Sequence, residues 1–303
     1  MEHNICWLIQ DRNITPNFTQ DSFDLVKKLD LLHTGIWINK DNKIEGLSAV
    51  LNNNIDYIFR CGTKTIDAII RAQNLSDLLP DSNTVISQAD SMMMLEKLKK
   101  GIFFNSEKFN FMHYANLDLP LLNSDNQYYS FKNQGEHRFA RDTFIKPSED
   151  NKFFTGGIIP AGMAIKDFVN NISHINYDQD QLLVASSIKN IAAEYRFYVV
   201  QGEIVTYSGY KFAGINKYFR EMPKQLLEIA TTFAKIYQPH EVFVMDIAET
   251  NGQYKIVEYN CLNGASLYGS DKAKLFYSLE DYMKNTALDN KQSYNMSATK
   301  TKI

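Results

Sequence analysis

The chain has 303 residues, 44% hydrophobic and 22% charged, with a net charge of −3. That composition suits a globular protein with two or three lobes, and it supplies no global basic field to draw in nucleic acid. The three cysteines, Cys6, Cys61 and Cys261, form no C-x-x-C pair, so neither a disulfide framework nor a zinc site is expected.

Reduced thiols point to a cytosol-like compartment, which could be a host cytosol for a delivered protein. The N-terminal apolar run is too short for a signal peptide, and no segment approaches the roughly 20 apolar residues of a membrane helix. Residues 4–10 (NICWLIQ) predict a strand. Phe23, Leu25, Val26, Leu29 and Leu32 recur at helical spacing over 21–32, behind a cap at Asp21 or Ser22. Strands at 35–39 and 57–61 and a helix at 65–73 complete an alternating α/β lobe over residues 1–85. A capped helix over 88–101, stopped by Gly101, opens the next lobe, expected at 86–185.

The stretch 104–135 has weak periodicity and supports no assignment. A strand at 143–146 stops at Pro147, and a Gly156-Gly157 turn precedes Ile158-Ile159. Strands are expected at 181–189, 194–200 and 204–210, with a turn at Gly202, and a helix at 223–237. Strands 242–248 and 254–260 flank Asn251-Gly252, a strong hairpin signal. A last helix at 276–284 closes a third lobe, 186–285, and 286–303 reads as a polar, frayed tail.

The final hairpin is the most informative segment. Glu258 and Asn260 are two apart on one strand and so share a face, and pairing can bring Asp246 onto it. Two carboxylates and an amide oxygen form a hard, all-oxygen set suited to Mg²⁺, which keeps waters and binds phosphate oxygens besides. The alternative is that these are ordinary polar positions on a half-exposed hairpin. Against it, Asp246 is embedded in FVM and IA, and Glu258 follows Ile256-Val257. Acids among apolar strand residues are costly to bury unless paired or metal-bound.

A second constellation suits phosphate. Lys146 ends an apolar strand, and Lys152, Thr155, Gly156 and Gly157 lie in or beside the following turn, where glycine backbone can approach an anion. Glu194 and Arg196 share a strand face, with Lys211 further along, and Arg196 can clamp a phosphate or carboxylate with both prongs. No convincing Ser–His–Asp or Cys–His set is present, and the six histidines are scattered.

In order, these motifs read FIKP, K-x-x-T-G-G, an apolar strand, E-Y-R, Y-K, M-D-I-A-E and E-Y-N. Over residues 140–270 this order resembles the ATP-grasp superfamily, nearest to a clade named for its arginine and lysine signature residues. The resemblance implies an α/β (α+β) fold in which two lobes clasp ATP behind a small N-terminal domain. It implies that Lys146 contacts the ATP phosphates and the nucleobase side, and that Lys152, Thr155 and Gly156 form a loop over the phosphates. Leu183 and Val184 would supply the adenine hinge, and Glu194 would lie in or near the nucleotide pocket. Arg196 and Lys211 would face the γ-phosphate or a substrate carboxylate. Asp246, Glu258 and Asn260 would hold Mg²⁺, and Asn263 would line the substrate end. One departure stands out. Where relatives carry a D-K pair, this chain has Asp90-Ser91, so Lys97 or another residue must substitute, or the phosphate contacts are redistributed.

The implied activity is an ADP-forming ligase that joins a carboxylate to an amine through an acylphosphate, on an amino acid, peptide or protein. A kinase-type phosphotransferase and a non-catalytic nucleotide-binding protein are the alternatives. Nucleic acid and membrane are not expected as partners.

Overall fold

The computed structural model describes residues 4–11, 16–80, 87–101, 119–148, 154, 156–172, 180 and 182–300, with the side chains of 16–18 and 287–300 left aside. In chain order the N-terminal lobe comprises β1 (Asn4–Gln10), α1 (Pro16–Lys28), β2 (His33–Ile38), β3 (Ile44–Glu45), β4 (Ile55–Arg60), α2 (Thr63–Arg71) and α3 (Gln88–Lys99). Strand order is β3-β2-β1-β4, with β1 parallel to both β2 and β4. A parallel strand covered on both faces reads as a continuous apolar run, and NICWLIQ does. Its alternate residues divide between two cores. Cys6 and Leu8 join Tyr57, Phe59 and Ile69, whereas Ile5, Trp7 and Ile9 join the core of the C-terminal part of the chain.

The helix α3, with which the lobe expected at 86–185 begins, packs into the core of the first sheet. Its Met94, Leu95 and Leu98 lie in the first core, and Lys97 Nζ donates to the carbonyls of Asn53 and Ile55 at 2.6 and 3.2 Å. Asp90 sits in the first turn, where its N–H donates to the Ser87 hydroxyl at 3.1 Å, and the Ser91 N–H donates to the Ser87 carbonyl at 2.9 Å. Both residues at the D-K departure therefore serve the start of α3, and Lys97 is directed to β4.

A second sheet follows: β5 (Gln127–Ser130), α4 (Phe131–Gln134), β6 (Thr143–Pro147), β7 (Gly157–Ile159), α5 (Ile165–Ile172) and β8 (Leu182–Ser186), in strand order β5-β8-β6-β7. One face carries Ile145, Ile159, Leu183 and Ala185, which pack with Ile165 and Val169 of α5. The period of two turns Phe144, Lys146, Ile158 and Val184 to the other face, the cleft face, from which Lys146 reaches toward Glu258 of the C-terminal part.

The third sheet is antiparallel, β11-β10-β9-β12-β13, from β9 (Ile191–Val200), β10 (Glu203–Phe212), β11 (Ile215–Phe219), β12 (Val242–Thr250) and β13 (Gln253–Asn260). Between β11 and β12 lies α6 (Lys224–Ile236), whose Leu226, Ala230, Phe233 and Ala234 form one buried stripe. Asn251 and Gly252 have φ of 51° and 72°, the two positive values that a tight I′ hairpin turn requires.

The last helix, α7 (Lys272–Lys300), buries Leu275, Phe276, Leu279, Tyr282 and Met283. Its backbone runs on through the stretch expected to fray. Trp7 stacks on Phe276 with ring centroids 4.0 Å apart, and its Nε1 donates to Glu280 Oε1 at 3.1 Å, which fixes β1 to α7. No described helix is long and apolar enough to cross a membrane.

Candidate functional site

Pairing in the third sheet brings the sequence-selected residues into rows on one face. Arg196 of β9 lies opposite Ser208 of β10 and Asp246 of β12, and Asp246 lies opposite Glu258 of β13. One row along, Glu194 lies opposite Lys211 and Ala248. On the other side, Tyr198 and Val244 lead to Asn260.

Two β-bulges make these rows possible. The pairing steps from Gly209 to Lys211 against consecutive residues of β9, so Tyr210 is the extra residue. It also steps from Glu258 to Ile256 against Asp246 and Ile247, leaving Val257 extra. A bulge resets the side-chain alternation. Without the first one, Ser208 and Lys211 would point to opposite faces.

Three cations on this face, or directed at it, have an acidic partner. Arg196 donates from Nε and Nη2 to the two oxygens of Asp246 at 2.8 and 2.7 Å. Lys211 Nζ lies 3.0 Å from Glu194 Oε1, while the Tyr210 hydroxyl donates to Glu194 Oε2 at 2.6 Å. Lys146, from the second sheet, reaches Glu258 Oε2 at 3.8 Å. Three positive and three negative groups thus neutralise one another in pairs. An arriving polyanion and cation can exchange those partners without leaving a buried charge uncompensated.

The central pair is the most enclosed, with side chains 9% and 1% exposed for Arg196 and Asp246. Burial pushes the Asp246 carboxyl up to about 6, against the pull of Arg196 and with a further push from the charges of Glu258 and Glu194. Burial also opposes the Arg196 charge, but the Asp246 carboxylate and its hydrogen bonds hold the guanidinium well above its ordinary value. Burial raises the Tyr210 phenol, and the charges of Asp246 and Glu194 raise it further.

The donor set suits a small hard cation. Asn260 Nδ2 donates to Glu258 Oε1 at 2.9 Å and reaches Asp246 Oδ2 at 3.4 Å, so both carboxylates aim oxygens at one amide group. That NH₂ sits between the two carboxylates, and turning the amide over would present its oxygen to the same space. Among the described residues no cluster of three or more His, Cys, Asp or Glu side chains is placed to hold a metal. A cation here would therefore have two carboxylates and an amide, with waters or phosphate oxygens completing its shell, as Mg²⁺ accepts.

Gly156 lies against the cleft face of the second sheet: a Cβ there would come within 2.9 Å of Phe144 and 3.0 Å of Lys146. Lys152 and Thr155 fall outside the described residues. Leu183 is wholly buried in the core of the second lobe, which leaves only its backbone for a ligand, and Val184 pairs with Lys146 on the cleft face. Asn263 is fully buried and donates to the Cys61 carbonyl at 3.0 Å, so it joins the loop after β13 to the end of β4.

The sequence reading missed a cavity of about 430 Å³ where β9 begins and the β10–β11 hairpin turns, lined by Lys189, Ile191, Ala192, Glu194, Lys211 and Gly214 among others. Glu194 and Lys211 form both its wall and the end row of the site. Small and backbone-dominated lining residues carry no pattern by which the sequence could reveal them.

Residues 128–277 match the family model described as an ATP-grasp domain of the R-two-K clade, family 2. No curated protein matches the chain by sequence. Among solved structures, the fold is similar to D-alanine–D-alanine ligase from Coxiella burnetii, with TM-score 0.62 and 13% identity, covering 99% of this chain and 100% of that one. It is similar to D-alanine–D-alanine ligase from Bacillus anthracis complexed with ATP, with TM-score 0.57 and 14% identity, over 97% and 100%. It is also similar to the ATP-grasp ligase PsnB complexed with a minimal precursor, with TM-score 0.51 and 11% identity, over 93% and 100%. At such identities the likeness concerns the fold alone. Over residues 128–277 the chain belongs to the ATP-grasp superfamily, in its R-two-K clade.

Proposed function

We propose that this protein is a Mg-ATP-dependent ligase that joins a carboxylate to an amine through an acylphosphate and releases ADP. The observation that carries this reading is the row Arg196–Asp246–Glu258, with Asn260 beside it and Lys146 approaching from the second lobe. It provides oxygens for a divalent cation next to cations for phosphate, both in a sheltered setting where fixed charges act strongly.

Asp246, Glu258 and Asn260 would hold Mg²⁺, which when bound neutralises phosphate charge. Lys146 would bind ATP phosphates. The cavity bounded by Glu194 and Lys211 would take the nucleoside end, with Glu194 accepting from ribose hydroxyls. Arg196 and Lys211 would steady the γ-phosphoryl group as an oxygen of the substrate carboxylate bonds to phosphorus and the bond to ADP breaks. The amine nitrogen then attacks the acyl carbon, phosphate leaves with the electron pair of the C–O bond, and the proton lost from nitrogen passes to that phosphate. No side-chain nucleophile is required.

The second lobe's cleft face, with Phe144, Ile158 and Val184, offers an apolar wall that excludes water when the lobes close. Amino acids, peptides and protein termini are the substrate class proposed. The test is incubation with ATP, Mg²⁺ and a panel of amino acids and peptides, reading ADP, phosphate and product mass. Amide formation with stoichiometric ADP and phosphate supports the ligase. A stable phosphoester would replace it with a kinase, and nucleotide binding without any ADP release would replace it with a binding protein.

A further inference from the structure

Two backbone irregularities, distant in sequence, bring two tyrosine rings to one guanidinium. Tyr210 is the bulge residue of β10. Tyr268, in the loop between β13 and α7, has φ of 45°, a left-handed conformation that a bulky side chain rarely adopts. Their rings stack with centroids 4.9 Å apart and planes 13° from parallel. Arg196 Cζ lies 5.0 Å from the Tyr268 centroid and 5.5 Å from that of Tyr210. Strained conformations persist where the surroundings impose them, and they concentrate at functional sites.

The Tyr210 hydroxyl is anchored on Glu194, and a third ring, Tyr218, packs against Tyr268 at 5.1 Å. The guanidinium therefore has two kinds of support. Its edge is held by Asp246, and Nη1 also reaches the Ser266 carbonyl at 3.4 Å. The paired rings add attraction from tyrosine faces. The Asp246 contact is the one that a cation bound by that carboxylate would weaken.

We propose that Tyr268 and Tyr210 form an aromatic clamp that keeps the Arg196 guanidinium aimed at the terminal phosphate of ATP when Asp246 turns to a cation. Both tyrosines are positioning residues, acting through Arg196. The proposal rests on the ATP-dependent reading above, but its test includes a measurement made without nucleotide.

Calorimetry of AMP-PNP and ADP, each with Mg²⁺, gives the preference for the terminal phosphate. Tyr268→Gly removes the ring and suits the positive φ. It is expected to melt no lower than the parent yet to lose about tenfold in that preference, whereas Tyr268→Phe stays within about threefold of the parent. Tyr268→Asn, which also tolerates this φ, serves as the second ring-less variant should the glycine variant melt early.

Without nucleotide, the Arg196 Nε–H resonance, assigned by its loss in Arg196→Lys, should be ring-shifted in the parent and in Tyr268→Phe, and lose that shift in the ring-less variants. An unchanged preference or an unchanged resonance in those variants overturns the clamp. A parent that binds both nucleotides equally overturns it too. A parent that binds neither overturns the ATP reading, and with it the clamp's role at phosphate; the resonance then decides whether the rings hold Arg196 at all.

Discussion

Arg196 and Asp246 face each other on neighbouring strands, and the guanidinium fork meets both carboxylate oxygens where solvent scarcely reaches. Breaking a buried pair from one side leaves the other charge stranded, at a cost of about 3–5 kcal/mol. Arg196→Met should therefore lower the urea midpoint markedly. The double variant Arg196→Met with Asp246→Leu should recover most of the loss while lacking nucleotide turnover. A single variant that unfolds at the parent's urea concentration would contradict this account of the pair.

Glu258 is more open, with its side chain 37% exposed. Glu258→Gln keeps the shape and removes the charge. We expect Mg²⁺-dependent turnover to fall by about a hundredfold or more, with the circular dichroism spectrum and melting temperature little changed. Full activity in this variant would remove Glu258 from the metal set.

Lys146 reaches Glu258 at 3.8 Å across a partly exposed gap, a contact that contributes little to stability. Lys146→Ala should weaken ATP binding about tenfold, ~1.4 kcal/mol, and move folding stability by no more than about 0.5 kcal/mol. Calorimetry showing the parent's ATP affinity would exclude Lys146 from the phosphate side.

The Asp246 carboxyl also predicts a pH dependence. Burial, the largest influence, lifts it from 3.8 to about 6 despite Arg196. Protons and Mg²⁺ compete for the ionised form, so Mg²⁺ affinity should be level above pH 6 and fall by about tenfold per unit below it. For stability the sign is the reverse. The folded state holds this proton more tightly than the unfolded chain, so this group's contribution is complete below pH 3.8 and is lost as pH rises through 6. Mg²⁺ titrations giving one affinity from pH 5 to 7 would show that Asp246 is not a ligand.

Asp246, Glu258 and Asn260 were legible in the sequence because an acid in an apolar strand is costly and because the Asn251-Gly252 turn fixes which strands pair. The alternation in FIKP and LLVAS likewise separates the core face of the second sheet from its cleft face. The bulges at Tyr210 and Val257 were not legible, since a bulge is settled by neighbouring strands. The packing of α3 against the first sheet depends on which core Met94 and Leu98 enter, and helical spacing is silent on that. The left-handed Tyr268 has no local signal either, because no glycine or asparagine marks the position.

The stacking of Trp7 on Phe276 bears on how this protein can be dissected. The family-matched stretch starts at residue 128 and stops at 277, partway along α7. A fragment cut to that stretch would forfeit Trp7, and with it the indole that covers Phe276; it would also shed Leu279, Tyr282 and Met283, all of them interior. The recognisable stretch thus leaves part of its own core outside its bounds, and the first strand is as much a part of its foundation as any residue within it.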